Sequence, residues 1–109
     1  MISVSDPVLE RIVELIVAKL APKKIILFGS RARGGAGPDS DIDLMVVEDS
    51  GRGSRSQRLG ELYVDLAFMD RPPTDVLLYG EDQFDRWRAS RTHVIGCASR
   101  EGRVIYERG

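Results

Sequence analysis

Ile25-Ile26-Leu27-Phe28-Gly29-Ser30-Arg31-Ala32-Arg33-Gly34, followed by Asp41-Ile42-Asp43-Leu44-Met45-Val46-Val47, is the stretch from which the fold can be read. Residues 25–28 are a short apolar run between Pro22-Lys23-Lys24 and Gly29, the pattern of a buried strand. Gly29 permits backbone angles closed to other residues and lets a ligand approach the main chain. Ser30 offers a hydroxyl and opens a segment, 30–33, that fits one helical turn, whose free N–H groups suit a phosphate. The Gly-Lys-Ser/Thr ending of a P-loop is missing, and so is the dinucleotide-binding glycine fingerprint.

Residues 41–47 read as a second strand. Side chains alternate faces along a strand, so Asp41 and Asp43 point one way and Ile42, Leu44 and Val46 the other. Two like charges roughly 6 to 7 Å apart repel unless something neutralises them. Mg²⁺ does this well, because it takes one or two carboxylates plus substrate phosphates rather than an all-protein cage. Each half alone has a plainer reading: an Asp-x-Asp can be a solvated strand end, and Gly-Ser a strand-to-turn junction with a serine cap.

The combination is more specific. An apolar run, Gly29-Ser30, the ten residues 31–40, then Asp41-Ile42-Asp43-Leu44 resembles the signature of the nucleotidyltransferase superfamily that includes DNA polymerase beta. Gly29-Ser30-Arg31-Ala32-Arg33-Gly34 with Ser40-Asp41-Ile42-Asp43-Leu44 looks like the minimal nucleotidyltransferases, small stand-alone prokaryotic domains. The likeness runs through a later strand containing Asp75 to the ending Arg100-Glu101-Gly102-Arg103-Val104-Ile105-Tyr106-Glu107-Arg108.

The resemblance implies an α/β fold: a small mixed sheet of three to four strands with helices on one face, the whole chain 1–109 forming one domain. It implies Mg²⁺-dependent transfer of a nucleoside monophosphate, AMP from ATP, to a hydroxyl. Two Mg²⁺ ions would be held by Asp41, Asp43 and Asp75, with Asp75 also placed to accept the acceptor's proton. Asp65 is the rival third carboxylate and Asp70 a weaker one. Gly29, Ser30 and Arg33 would hold the triphosphate, Arg33 through its planar fork, with Arg31 a lesser candidate.

Such domains often pair with a helical HEPN-domain protein as the antitoxin of a toxin–antitoxin system, adenylylating the toxin on a tyrosine. The acceptor stays open between a protein tyrosine, a nucleic acid end and a small molecule. A reading from another class is a non-enzymatic module that neutralises or scaffolds a partner protein.

Composition sets the bounds. With 109 residues, 42% hydrophobic and 30% charged, the chain is that of a small globular domain. A formal net charge of −1 argues against a protein built chiefly to grip long nucleic acid. Arginines at 52, 55 and 58 nevertheless cluster, read either as loop solvation or as a macromolecular contact. The single cysteine, Cys97, cannot form an intramolecular disulfide and reads as a small buried apolar residue, which favours a cytoplasmic setting. No secretory leader and no apolar run long enough to span a membrane is seen.

Asp6-Pro7 looks like a helix cap with proline at the first helical position, and apolar residues at 8, 9, 12, 13, 15, 16 and 20 follow at helical spacing. Residues 34–39 are too rich in Gly and Pro for regular structure, and 48–57 read as a solvated loop. Residues 58–69 favour a helix over a rival strand at 62–68; 74–79 read as a strand, 81–88 and 92–100 as short helices, and 104–106 as an extended tail. Phe84 and Trp87 read as core or interface residues and His93 as a surface or capping residue.

Overall fold

The computed structural model describes residues 2, 4–34, 37 and 40–108; positions 35, 36, 38 and 39 of the Gly/Pro-rich connection lie outside them. The elements run α1 (Pro7–Leu20), β1 (Lys24–Phe28), α2 (Ser30–Arg33), β2 (Ile42–Glu48), α3 (Arg55–Leu66), β3 (Thr74–Gly80), α4 (Glu81–Trp87), α5 (Val94–Glu101) and β4 (Arg103–Glu107).

The four strands form one sheet in the order β3-β2-β1-β4. β1 is antiparallel to both β2 and β4, whereas β2 and β3 are parallel, joined by α3. This is the mixed α/β sheet expected. The tail at 104–106 is a full edge strand, and Ile2 adds a bridge to Tyr106 on its outer side.

Helix α1 starts where the sequence says it should. Asp6 Oδ1 accepts hydrogen bonds from the backbone N–H of Val8 (2.9 Å) and Leu9 (3.4 Å), and Pro7 needs no partner at the first position. The helix ends as Ala21 enters the left-handed region at φ 45°. Residues 58–66 belong to α3, which settles the helix-or-strand rivalry, although the helix starts earlier than expected, at Arg55 behind a Ser54 cap.

The sheet is covered on both faces, which corrects the expectation of helices on one. Leu9, Ile12, Val13, Ile16 and Leu20 of α1 and Leu62 and Leu66 of α3 bury Ile25, Leu27, Ile42, Leu44, Val46, Val76, Leu78 and Ile105. On the opposite face Phe84 of α4 and Ile95 and Ala98 of α5 bury Ile26, Met45 and Val47. The two central strands therefore need apolar residues on both sides, and the unbroken runs 25–28 and 44–47 already carry that pattern. His93 caps α5, its Nδ1 accepting from the Ile95 N–H at 3.1 Å, and stacks on Trp87 with ring centroids 4.8 Å apart. Cys97 is half-buried, not fully buried.

Candidate active site at one end of the sheet

The start of β2 sits between the end of β1 and the start of β3. Phe28 pairs with Asp43 on one side, and Asp43 with Asp75 on the other. Because β2 and β3 are parallel and in register, Asp43 and Asp75 occupy adjacent positions on the same face, about 4.8 Å apart across the strands. Asp41 lies one residue ahead of β2, and its charge acts on the Asp43 carboxyl.

Electrostatics follow from the placement. Burial pushes the Asp43 carboxyl above its ordinary range, and the neighbouring Asp75 and Asp41 charges push it further the same way. No ion pair or side-chain hydrogen bond to Asp41, Asp43 or Asp75 is formed among the described residues. Three acidic groups thus share a corner, and among the described residues no cation pairs with them.

The turn after β1 is built around that corner. Gly29 has φ 75° and ψ −157°, open to glycine and strained for any other residue. A Cβ there would also fall inside the van der Waals surface of Asp43 Oδ2 and lie 3.3 Å from Asp43 Cγ. The close approach thus requires glycine twice over, once by conformation and once by space. Ser30 and Arg33 are exposed on the four-residue turn α2.

Arg31 behaves differently from Arg33. Its Nε donates to the Ser40 carbonyl at 3.0 Å, and its Nη1 lies 3.4 Å from Asp6 Oδ2. Those donors face the start of α1 and the residue before Asp41, in place of the solvent side of the turn.

The rival carboxylates lie elsewhere. Asp65, on α3, pairs with Lys19 of α1 at 3.1 Å, and Asp70 is exposed in the α3–β3 connection. The arginine cluster has a structural task the sequence reading did not find. Arg52, Arg55 and Arg58 surround Glu48, the fully buried last residue of β2, with Arg55 Nε at 3.2 Å and Arg58 Nη2 at 2.9 Å from Glu48 Oε2. The available signal was positional: Glu48 falls on the same strand face as Ile42, Leu44 and Val46, with arginines 4, 7 and 10 residues later. Tyr63 was also missed. Its hydroxyl accepts from the Val76 N–H at 2.8 Å, giving the outer edge of β3 a partner beside Asp75.

Among the described residues no three His, Cys, Asp or Glu side chains lie together closely enough to hold a metal ion, and that includes Asp41, Asp43 and Asp75. The corner offers hard carboxylate oxygens and a mutual repulsion that a cation relieves, the donor chemistry of a Mg²⁺ shared with phosphates.

A strand-turn-strand carrying Gly-Ser and Asp-x-Asp, with Asp75 at matching register on the next strand, is the arrangement that the sequence resemblance implies. The nucleotidyltransferase domain family model matches residues 9–97, and the chain belongs to that family. Comparison with curated proteins gave no match. Among solved structures, the chain is similar to a candidate nucleotidyltransferase from Sulfolobus solfataricus, with TM-score 0.60 and 20% identity over 93% of this chain and 78% of that one. It is also similar to a chain of a toxin–antitoxin structure solved with AMP-PNP, with TM-score 0.51 and 20% identity over 91% of this chain and 73% of that one. At these identities the two structures speak for the fold. No helix among the described residues is long and apolar enough to cross a membrane.

Proposed function

We propose that the chain transfers a nucleoside monophosphate, AMP from ATP, to a hydroxyl acceptor at the Asp41–Asp43–Asp75 corner. The observation that carries this reading is the uncompensated carboxylate cluster directly beside the Gly29-Ser30 turn. Asp41, Asp43 and Asp75 would hold divalent cations. Such ions, when bound, neutralise charge on the phosphates and the departing pyrophosphate.

The chain's own residues supply the rest. Gly29, having no side chain, lets the Asp43 carboxylate close against the turn, and the Ser30 hydroxyl donates to a terminal phosphate oxygen. Arg33 brings a forked positive charge to the same group. Asp75, exposed on the edge strand, accepts the proton of the acceptor hydroxyl as its oxygen bonds to the α-phosphorus and the bond to the β-phosphate oxygen breaks. Asp43 is half-buried between the exposed Asp41 and Asp75, so it is the least hydrated of the three carboxylates.

The acceptor we favour is a tyrosine of a HEPN-type partner protein, with this chain acting as its antitoxin. That part rests on the likeness of the Gly29–Gly34 and Ser40–Leu44 segments to the minimal nucleotidyltransferases.

The test is label transfer from ATP carrying a labelled α-phosphate, with Mg²⁺, lysate of the source cells, and an Asp41→Ala plus Asp43→Ala double variant as control. A labelled protein or RNA band that the variant loses establishes transfer and identifies the acceptor class. Absence of variant-dependent label, with Mn²⁺ and other nucleotides also tried, overturns the enzymatic reading in favour of a partner-binding module.

A further inference from the structure

Asp41 has the least backbone support of the three carboxylates. It stands one residue ahead of the β2 ladder, whose pairing with β3 begins at Ile42 and with β1 at Asp43. Its two flanking peptide groups are nevertheless both tied. The Ile42 N–H donates to the Pro73 carbonyl at 2.8 Å, and the Ser40 carbonyl accepts from Arg31 Nε at 3.0 Å. Arg31 is anchored in turn: its Nη1 lies 3.4 Å from Asp6 Oδ2, the carboxylate whose other oxygen caps α1. The Arg31 side chain is only 11% exposed.

We propose that Arg31 is a positioning residue for Asp41, bridging the Ser40 carbonyl to the capped start of α1. The inference rests on the reading of this corner as a nucleotidyl-transfer site. A guanidinium suits the task because Nε and Nη1 point along different directions of one rigid plane, so a single side chain holds a carbonyl and a carboxylate at once. A lysine has one ammonium on a flexible stem and holds one of the two at a time. The two arginines of the turn divide the work by geometry. Residues two apart on a helical turn point about 200° away from each other, so Arg31 reaches inward to Ser40 and Asp6 while Arg33 faces solvent. The bridge sets where the peptide before Asp41 lies. Its loss leaves a carbonyl that water can satisfy and a carboxylate no longer held toward Asp43.

The experiment uses Mn²⁺ as probe, its free-ion EPR signal followed on titration into the full chain with AMP-PNP present. Deuterium exchange of the segment 40–43 is a second readout that needs no turnover. Arg31→Met and Arg31→Lys are both expected to weaken Mn²⁺ binding by about tenfold or more, the scale typical of residues that orient metal ligands. Exchange at 40–43 rises in both.

Asp6→Asn keeps a helix cap of equal quality and removes the anchoring charge, so it gives a smaller loss in the same direction in a chain that stays folded. Combined with Arg31→Met it adds nothing further, because both act through one bridge. Wild-type Mn²⁺ affinity in Arg31→Lys would show that positive charge alone is needed and overturn the positioning role. Wild-type affinity in both Arg31→Met and Asp6→Asn would overturn it too. If Asp43→Asn binds Mn²⁺ as the wild type does, the reading of the corner itself has failed, and the Arg31 role with it.

Discussion

Glu48 offers a test of how the far end of the sheet is held without touching the candidate site. It is fully buried, five residues beyond Asp43 on the same strand, a run of about 16 Å. Burial alone would raise its pKa. The hydrogen bond and charge of Arg58, the hydrogen bond of Arg55 and the charge of Arg52 outweigh burial and hold the carboxyl below its ordinary value of 4.5.

Removing one partner of a buried ion pair costs about 3 to 5 kcal/mol, mostly through the charges left behind. Arg52 and Arg55 are about a third exposed, at 32% and 34%, so solvent screens them and the lower end applies. For Glu48→Ala we expect a loss of about 3 kcal/mol, which for a domain of this size lowers Tm by about 12 °C.

The acid limb supplies a sign. A carboxyl whose folded pKa is depressed adds stability that is present above its unfolded value of 4.5 and is lost as pH falls through the folded value. The wild type should therefore lose more stability between neutral pH and pH below 4.5 than Glu48→Gln does. Urea melts at pH 7 and in that acidic window, monitored by Trp87 fluorescence, measure both effects. A change below about 0.5 kcal/mol in Glu48→Ala, the scale of an exposed ion pair, would refute the view that this carboxylate organises the loop at 49–54 and the start of α3.

Further outcomes follow from the site geometry. Gly29→Ala should cost about 1 to 3 kcal/mol from its positive φ and abolish label transfer, since the new methyl group displaces the Asp43 carboxylate; melts and the labelled-phosphate assay report the two effects separately. Asp43→Asn should melt higher than the wild type at neutral pH in EDTA. The raised carboxyl pKa means that the folded chain binds the proton more tightly than the unfolded chain, so native stability falls as pH rises through the folded value, and the amide removes that loss; the variant should also gain nothing from added Mg²⁺. Asp75→Asn should abolish transfer while Asp65→Asn leaves it intact, with a stability change under about 1 kcal/mol because the Lys19–Asp65 pair is exposed; loss of transfer in Asp65→Asn would exchange the two assignments. Tyr63→Phe should destabilise by about 1 kcal/mol by removing the Val76 N–H partner, read in the same urea melts.

Much of this architecture is local, and local patterns are legible in a sequence. The Asp6-Pro7 cap, the 3.6-residue stripe of α1 and the apolar runs of β1 and β2 each report their own backbone state, because capping and periodicity act within a few residues. The ends of elements were less legible. α3 reaches back to Arg55 through residues that look like loop, since Gly, Ser and Arg at 51–58 carry no periodicity, and the arginines are recruited by a glutamate on another element.

The sequence alone determined that two carboxylates stand two residues apart at the start of an apolar strand and that a glycine-serine turn precedes them, because an apolar run reports its own extended backbone. Only the tertiary structure decided that Asp75 stands at the register position beside Asp43, that Gly29 touches the Asp43 carboxylate, and that Arg31 reaches Asp6 across 25 positions. Register between strands, and which helix lies on which face, arise from burying apolar surface on both sides of the sheet at once. No short segment contains that constraint. The same cooperative burial brought Glu48 into contact with three arginines that read, in isolation, as surface charge.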